Sequence, residues 1–426
     1  MSTLKDMSIQ EFDYWHQDRH VNPRHLESVA AFHRAGIKDA AGHGGGLGVE
    51  IEHLPVRTAD NPVSAPEGTA VTYAEAHGIR SVLEDLRELY DPAEEVYEED
   101  ALLGLGKEGI RISLEPGGQI ECSFSVVHSA GGLERLYADF RQNIGPVLRR
   151  HGVQLVTQGY QPHSLSEDID VIPRKRYRCM DAYFGRMSGF GRNMMRASAS
   201  VQISIDYFSE EDAVAKMRTG TALGPVLAYF FRNSPYFEGQ ASPYRLLRQH
   251  FWTRIGNSRA GVAPGLFDGN FGFEQAAYNV LASPLMVADV THTPEYAQES
   301  DPVRIAAFDN AADVYPDRAL NDYEISHIIS THFNDVRLKN FIELRHWDSL
   351  PIGRAAQLLR CVAHVFYDRE AFTEASSYVS GIREVDVEEC KLGLQVYGDA
   401  ALPYGRPLDF WRRLLGLDWD GTYRGR

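Results

Sequence analysis

Glu115-Pro116-Gly117-Gly118-Gln119, extended to Glu121, sets two carboxylates and an amide around a tight turn between apolar segments. Solvated charge has no structural reason to sit there. Residues 109–114 and 119–126 read as strands, with Pro-Gly-Gly as a three-residue hairpin loop. That loop puts Glu115 opposite Gln119, and the alternation of strand side chains puts Glu121 on the face both share. Carboxylates this close repel and take up protons unless a cation lies between them, so the pattern predicts a Mg2+ or Mn2+ site. The alternative is a polar hairpin tip in solvent.

Two further pairs repeat the logic. Glu50 and Glu52 are two residues apart and leave the same strand face, as do Glu343 and Arg345. If these strands share a sheet with the hairpin, five glutamates meet in one cavity, the setting in which hard cations and ATP phosphates bind. Solvated edge strands are the plainer reading of each pair alone. Between Arg174 and Arg196 the chain carries Arg174, Lys175, Arg176, Arg178, Arg186, Arg192 and Arg196 against one acid, Asp181. A cationic arc of this kind suits an anionic substrate plus a triphosphate, unless it is a solvated helix face.

These groups need elements to position them. Residues 196–206 alternate Ala197, Ala199, Val201, Ile203 and Ile205 with Arg196, Ser198, Ser200, Gln202, Ser204 and Asp206, which predicts a strand with one wholly polar face. That face meets either solvent or a polar cavity. Helices are expected over 9–35, 73–90, 130–151, 209–232, 322–332 and 352–367, and strands over 49–54, 153–160 and 337–345. Residues 42–48 are Gly-rich, 55–72 a Pro-rich loop and 91–100 an acidic connector; 55–72 and 296–320 are candidate lids. Helices interleaved with hairpin-type strand pairs predict an α+β fold, a mainly antiparallel sheet with helices packed on one side.

Composition narrows the classes. With 426 residues, 43% of them hydrophobic, the chain can bury a large core. A net charge of -16 argues against nucleic acid as a partner. The first residues, with Lys5, Asp6, Glu11, Asp13 and Asp18, do not read as a secretory signal, and no apolar run reaches a membrane-spanning length; a cytoplasmic enzyme is expected. Cys122, Cys179, Cys361 and Cys390 are widely spaced and expected to be free thiols. His43-Gly44-Gly45-Gly46 has no GxSxG nucleophile to serve, Gly256-Asn257-Ser258-Arg259-Ala260 lacks the second glycine, and no P-loop, GxGxxG or HExxH is present. His327 and His332 read as helix-surface or core histidines.

Taken together, the motifs resemble the glutamate–cysteine ligases of the plant and proteobacterial type, with the related actinobacterial ligases of ergothioneine biosynthesis. The resemblance rests on Gly48-Val49-Glu50-Ile51-Glu52, Leu114 to Glu121, Pro173-Arg174-Lys175-Arg176-Tyr177 with Met180, and Met194-Met195-Arg196 with Val201-Gln202. It continues through Asn233-Ser234-Pro235 with Gly239, Trp252 with Arg259 and Gly261, Phe271-Gly272-Phe273-Glu274, and Ile342-Glu343-Leu344-Arg345 with Asp348. It is clearest over 48–368 of what is expected to be a single catalytic domain, with 1–40 and 370–426 as peripheral helical extensions.

The resemblance implies a glutamine-synthetase-like domain whose curved sheet forms a bowl for ATP, metal and glutamate. It also implies a reaction, in which ATP phosphorylates the γ-carboxylate of glutamate and the amine of cysteine displaces phosphate, as in glutathione biosynthesis. On that reading Glu50, Glu52, Glu115, Glu121 and Glu343 hold Mg2+ (or Mn2+), and Arg196, Arg345 and Glu115 are catalytic. Arg176, Tyr177, Gln119, Gln202, Trp252, Arg259 and Asn233 bind glutamate or ATP. Ser204, Lys175 and Ala197-Ser198-Ala199 depart from the family pattern, which leaves open whether the acceptor is cysteine or another amine; a non-catalytic glutamate- or nucleotide-binding relative is the remaining alternative.

Overall fold

The computed structural model describes residues 20–39, 45–187, 189–255 and 259–418. The expected helical start at 9–19, the glycines of 42–44 and residues 256–258 lie outside the described residues. Nine strands make one sheet: β1 (Leu47–Arg57), β2 (Asp91–Glu98), β3 (Ala101–Lys107), β4 (Ile110–Leu114), β5 (Ile120–Val127), β6 (Val153–Val156), β7 (Ser200–Ile205), β8 (Val336–Leu338) and β9 (Ile342–Asp348). Their order is β8-β9-β7-β1-β5-β4-β3-β2, and β6 pairs with the far end of β1. Every pairing in it is antiparallel, and the fold is α+β as expected.

Alternation decides which face does what. In β1, Glu50 and Glu52 point one way while Val49, Ile51 and His53 point the other, where His53 Nε2 lies 3.1 Å from the Tyr137 hydroxyl. Tyr137 belongs to helix Ala130–Arg150, which Ser129 caps at its N-terminus and which buries Leu133, Tyr137, Phe140, Ile144 and Val147 at the three-to-four spacing of an amphipathic helix. Helices Glu210–Phe230 and Ile352–Tyr367 pack on the same side, against β9 and β7. One face of the sheet is therefore core, and the glutamates stand on the other.

Several elements differ from expectation. The acidic stretch at 91–100 is β2, an exposed edge strand whose charges deter pairing with another chain. Only Ile79–Leu86 of the expected 73–90 helix is α-helical, because Tyr73 turns inward to donate to the Leu102 carbonyl at 2.9 Å. The single strand expected at 337–345 is two, β8 and β9, reversed through Lys339–Phe341. β7 starts at Ser200, because Asn193–Ala197 forms a π-helical turn.

The expected lids carry regular structure, a bridge from Val56 to Ala70 and a strand at Val303–Ala306. The C-terminal helices Arg369–Val379 and Glu384–Tyr397 contribute Ala375, Val379, Val387 and Leu394 to the main core rather than lying outside it. All four cysteines are free. Among the described residues no helix is long and apolar enough to cross a membrane.

Candidate active site

The polar face of the sheet opens into a cavity of about 470 Å³. Its floor is built from Glu50 and Glu52 of β1, Glu115 and Gln119 of the hairpin turn, Glu121 of β5, Gln202 of β7 and Glu343 and Arg345 of β9. Arg176 and Tyr177, from helix Lys175–Met187, and Trp252 close it from the other side. All five predicted glutamates thus reach one cavity, and Ser198, Ser200 and Gln202 of the predicted polar face line it rather than meeting solvent.

The hairpin has the expected form. Glu115 N–H donates to the Gln119 carbonyl at 3.0 Å and Gly118 N–H to the Glu115 carbonyl at 2.9 Å. Gly118 has φ +83, a conformation that favours glycine, and a Cβ on Gly117 would collide with the Arg196 carbonyl. Gln119 lines the cavity, but its amide is already engaged: its Oε1 accepts from Gly117 N–H at 2.8 Å and its Nε2 donates to the Met195 and Ser198 carbonyls at 3.1 and 2.9 Å. The amide is spent fastening the turn to the entry of β7.

The five glutamates divide by their partners. Glu52 accepts from Ser200 N–H at 2.7 Å, Ser200 Oγ at 2.8 Å and Gln202 Nε2 at 3.1 Å. Glu343 is ringed by Arg337 at 2.6 Å, Arg345 at 3.1 Å and Lys339 at 3.5 Å. Burial pushes the Glu343 carboxyl up, but Arg337, Arg345 and Lys339 outweigh it and hold the group well below the usual carboxylate range.

Glu50, Glu115 and Glu121 are different. Tyr177 hydroxyl reaches Glu115 at 3.3 Å and Ser113 Oγ reaches Glu121 at 2.8 Å, but among the described residues no guanidinium or ammonium pairs with any of the three. Burial, then Glu343, pushes Glu50 from 4.5 to about 7; burial, then Glu52, pushes Glu115 to about 7. Burial followed by Glu50, Glu115 and Glu52 puts Glu121 well above the ordinary range. Glu121 and Glu52 are direct cross-strand partners, a like-charge arrangement that destabilises a sheet. Among the described residues, no group of three or more His, Cys, Asp or Glu is gathered tightly enough to hold a metal as it stands.

The arginines divide too. Arg345 donates to Glu343 and Gln202 inside the cavity, and Arg176 contacts His327 and Ser330 at its rim. Arg196, expected to be catalytic, lies outside the lining. Its Nε and Nη2 form a bidentate pair with Asp181 at 2.7 and 2.6 Å, and Nη1 donates to the Ile169 carbonyl at 3.0 Å. Arg259 is likewise a staple, donating to the Thr331 and Pro284 carbonyls at 3.1 and 2.8 Å. Asn233 holds the Thr157 and Ser349 carbonyls at 2.6 and 2.9 Å, away from the cavity.

Arg196→Met is therefore expected to cost roughly 1.5–3 kcal/mol of stability, the worth of a hydrogen-bonded charge, and to leave kcat per folded molecule within about threefold. Denaturant unfolding beside initial rates checks it. A fully folded variant with kcat down a hundredfold would return Arg196 to the chemistry.

Sequence reasoning missed three cations. Arg337 is the cross-strand partner of Glu343, a pairing hidden when β8 and β9 are read as one strand. Lys339 follows it at the turn. Arg248, in the short helix Leu247–Trp252, donates to Ser198 Oγ at 3.0 Å while its buried Nε has no protein partner, and no periodic pattern marks it.

Unneutralised carboxylates on one wall and surplus guanidiniums on the others define an enzyme cavity for polyanionic, phosphate-bearing substrates. Comparison with known proteins makes this more particular. The chain belongs to the glutamate–cysteine ligase family 2, whose model matches residues 46–390. Chloroplastic glutamate–cysteine ligase B of Oryza sativa subsp. japonica is 32% identical over 355 residues, covering 81% of this chain and 69% of that one. The chloroplastic glutamate–cysteine ligase of Nicotiana tabacum is 34% identical over 298 residues, 68% of this chain and 55% of that one. The crystal structure of the Francisella tularensis glutamate–cysteine ligase in complex with AMP aligns with a TM-score of 0.46 and 11% identity over 83% of this chain and 71% of that one, a likeness too slight to carry an argument.

Proposed function

We propose that the chain joins the γ-carboxylate of L-glutamate to the amine of L-cysteine at the expense of ATP, giving γ-glutamylcysteine, ADP and phosphate. The observation that carries this reading is the trio Glu50, Glu115 and Glu121, enclosed together with no cationic side chain among the described residues paired to any of them. Buried carboxylates of this kind either hold protons or await a hard cation, and an all-oxygen donor set suits Mg2+. Glu50, Glu115 and Glu121 would hold it, with Glu52 behind them. Bound there, Mg2+ would neutralise phosphate oxygens during transfer to the γ-carboxylate.

The chain's own groups orient the reactants. Arg345, fixed by Glu343 and Gln202, faces the glutamates and can bind a transferring phosphoryl group. Arg176 and Arg248 retain donors for the anionic ends of glutamate or ATP. A carboxylate oxygen attacks the γ-phosphorus and ADP leaves; the amine then attacks the acyl carbon and phosphate leaves. Holding the carboxylate in line with the γ-phosphate is worth several orders of magnitude in rate.

The test is incubation with ATP, Mg2+ and glutamate, with and without cysteine, following ADP and product mass together. Cysteine-dependent ADP and a γ-glutamylcysteine mass are expected. ADP release that requires a different amine would overturn the acceptor and keep the acyl-phosphate chemistry.

A further inference from the structure

Arg176 lines the cavity, yet its guanidinium is set by groups behind it. Nη1 lies 3.2 Å from His327 Nδ1, and Nη2 donates to Ser330 Oγ at 2.7 Å and to the Ser330 carbonyl at 3.3 Å. His327 Nε2 lies 2.8 Å from the Val287 carbonyl. A carbonyl only accepts, so Nε2 carries the proton, and a guanidinium only donates, so Nδ1 is bare. The two contacts fix one neutral tautomer. A charged imidazole would present a hydrogen to Arg176 from Nδ1 and break the arrangement.

Helix Asp322–Ser330, which carries His327 and Ser330, starts at a capping box of Asn321 and Glu324, and Glu324 is anchored to Arg318 and Thr293. Val287 lies in strand Met286–Asp289, whose Asp289 accepts from the Tyr323 hydroxyl at 2.9 Å. His327 thus sits between a capped helix and a strand, both fixed independently of the cavity. Three contacts use part of the five-donor fork of Arg176 and leave the remainder for a ligand.

We propose that His327 is a positioning residue: as a neutral Nε2–H imidazole it locks the Arg176 fork onto the carboxylate or phosphate of the incoming substrate. This rests on the reading of the cavity as a site for glutamate and ATP. Loss of a hydrogen bond to a charged group is worth about 10- to 100-fold in affinity.

The experiment compares His327→Phe, His327→Gln and His327→Asn in the full chain, by initial rates and by calorimetric titration with L-glutamate and with ATP–Mg2+ separately. Asparagine offers an acceptor where Nδ1 stands, whereas glutamine reaches only the Nε2 position. The phenylalanine and glutamine variants should weaken one of the two ligands about tenfold or more, with kcat changed far less, and the asparagine variant should recover most of that loss. Which ligand weakens identifies the group Arg176 holds. In a cycle with Arg176→Lys the losses should not add.

Equal losses in all three variants, or additivity with Arg176→Lys, would make His327 a packing residue and overturn the proposal. So would unchanged binding of both ligands in the glutamine variant, which keeps the proposal testable if phenylalanine fails to fold. Wild-type protein that binds the ligands but forms no γ-glutamylcysteine would sink the functional reading alone.

Discussion

Glu121→Gln is expected to lower kcat by about 10²–10³-fold, the scale on which single electrostatic groups act in enzyme sites, and to raise the Mg2+ concentration for half-maximal rate. Glu121 stands directly across from Glu52 in the β1–β5 ladder and takes a hydrogen bond from Ser113 Oγ at 2.8 Å. Glutamine keeps the shape and the acceptor oxygen but removes the charge. If the carboxylates exist to hold a cation, the loss must fall on metal-dependent turnover and not on folding. Rates over a Mg2+ series, with thermal unfolding in a chelator, separate the two. An unchanged Mg2+ requirement with full activity would remove Glu121 from the metal site.

The same substitution should stabilise the metal-free protein. Glu50 and Glu115 have folded-state values near 7 against an ordinary 4.5, so between those limits the folded chain binds more protons than the unfolded one. The contribution of these two groups to stability then falls as pH rises through that window, the opposite of an ion-paired carboxylate, while the buried His33, His53, His327 and His346, held down to about 4, contribute the opposite slope below 6.5. Glu121 is pushed up as well, by burial and then by Glu50, Glu115 and Glu52, so its own proton uptake adds to the carboxylates' contribution and glutamine should remove it and flatten the slope. The difference in melting temperature between the chelated Glu121→Gln variant and the chelated wild type, followed from pH 5 to 8, cancels the histidines and tests this; a difference that does not widen as pH rises would show that the carboxylates are not mutually strained.

The hairpin, β1 and the polar face of β7 were legible because alternation and a Pro-Gly-Gly turn leave a local imprint that no tertiary contact overrides. What was not legible depended on distant partners. Arg196 and Arg345 look alike in sequence; only Asp181, brought alongside by helix Lys175–Met187, spends the first of them on structure. Gln119 sits in the right turn but faces two carbonyls of the β7 entry. The acidic 91–100 stretch has no apolar face because β2 is an edge strand with most of its side chains in solvent. β8 and β9 merged because Lys339-Asn340-Phe341 reverses the chain without glycine or proline.

Arg345→Met should act in the opposite sense to Glu121→Gln on the metal while matching it on turnover. Its guanidinium is buried between Glu343 Oε2, at 3.1 Å, and Gln202 Oε1, and the Glu343, Glu52 and Glu50 charges raise its own pKa against the effect of burial. Without it Glu343 keeps Arg337 at 2.6 Å and Lys339 at 3.5 Å, so no buried carboxylate is stranded and the fold should stand. What disappears is a positive charge facing the carboxylates. Mg2+ should therefore bind more tightly and saturate at lower concentration, while kcat falls by about 10²–10³-fold because no group replaces the guanidinium at the transferring phosphoryl. Arg345→Lys should not rescue it, since an ammonium on a flexible stem cannot reproduce a planar fork placed between two acceptors. Steady-state rates with Mg2+ varied at saturating ATP and glutamate decide the matter. A looser Mg2+ requirement, or full rescue by lysine, would mean that Arg345 serves the sheet and not the phosphate.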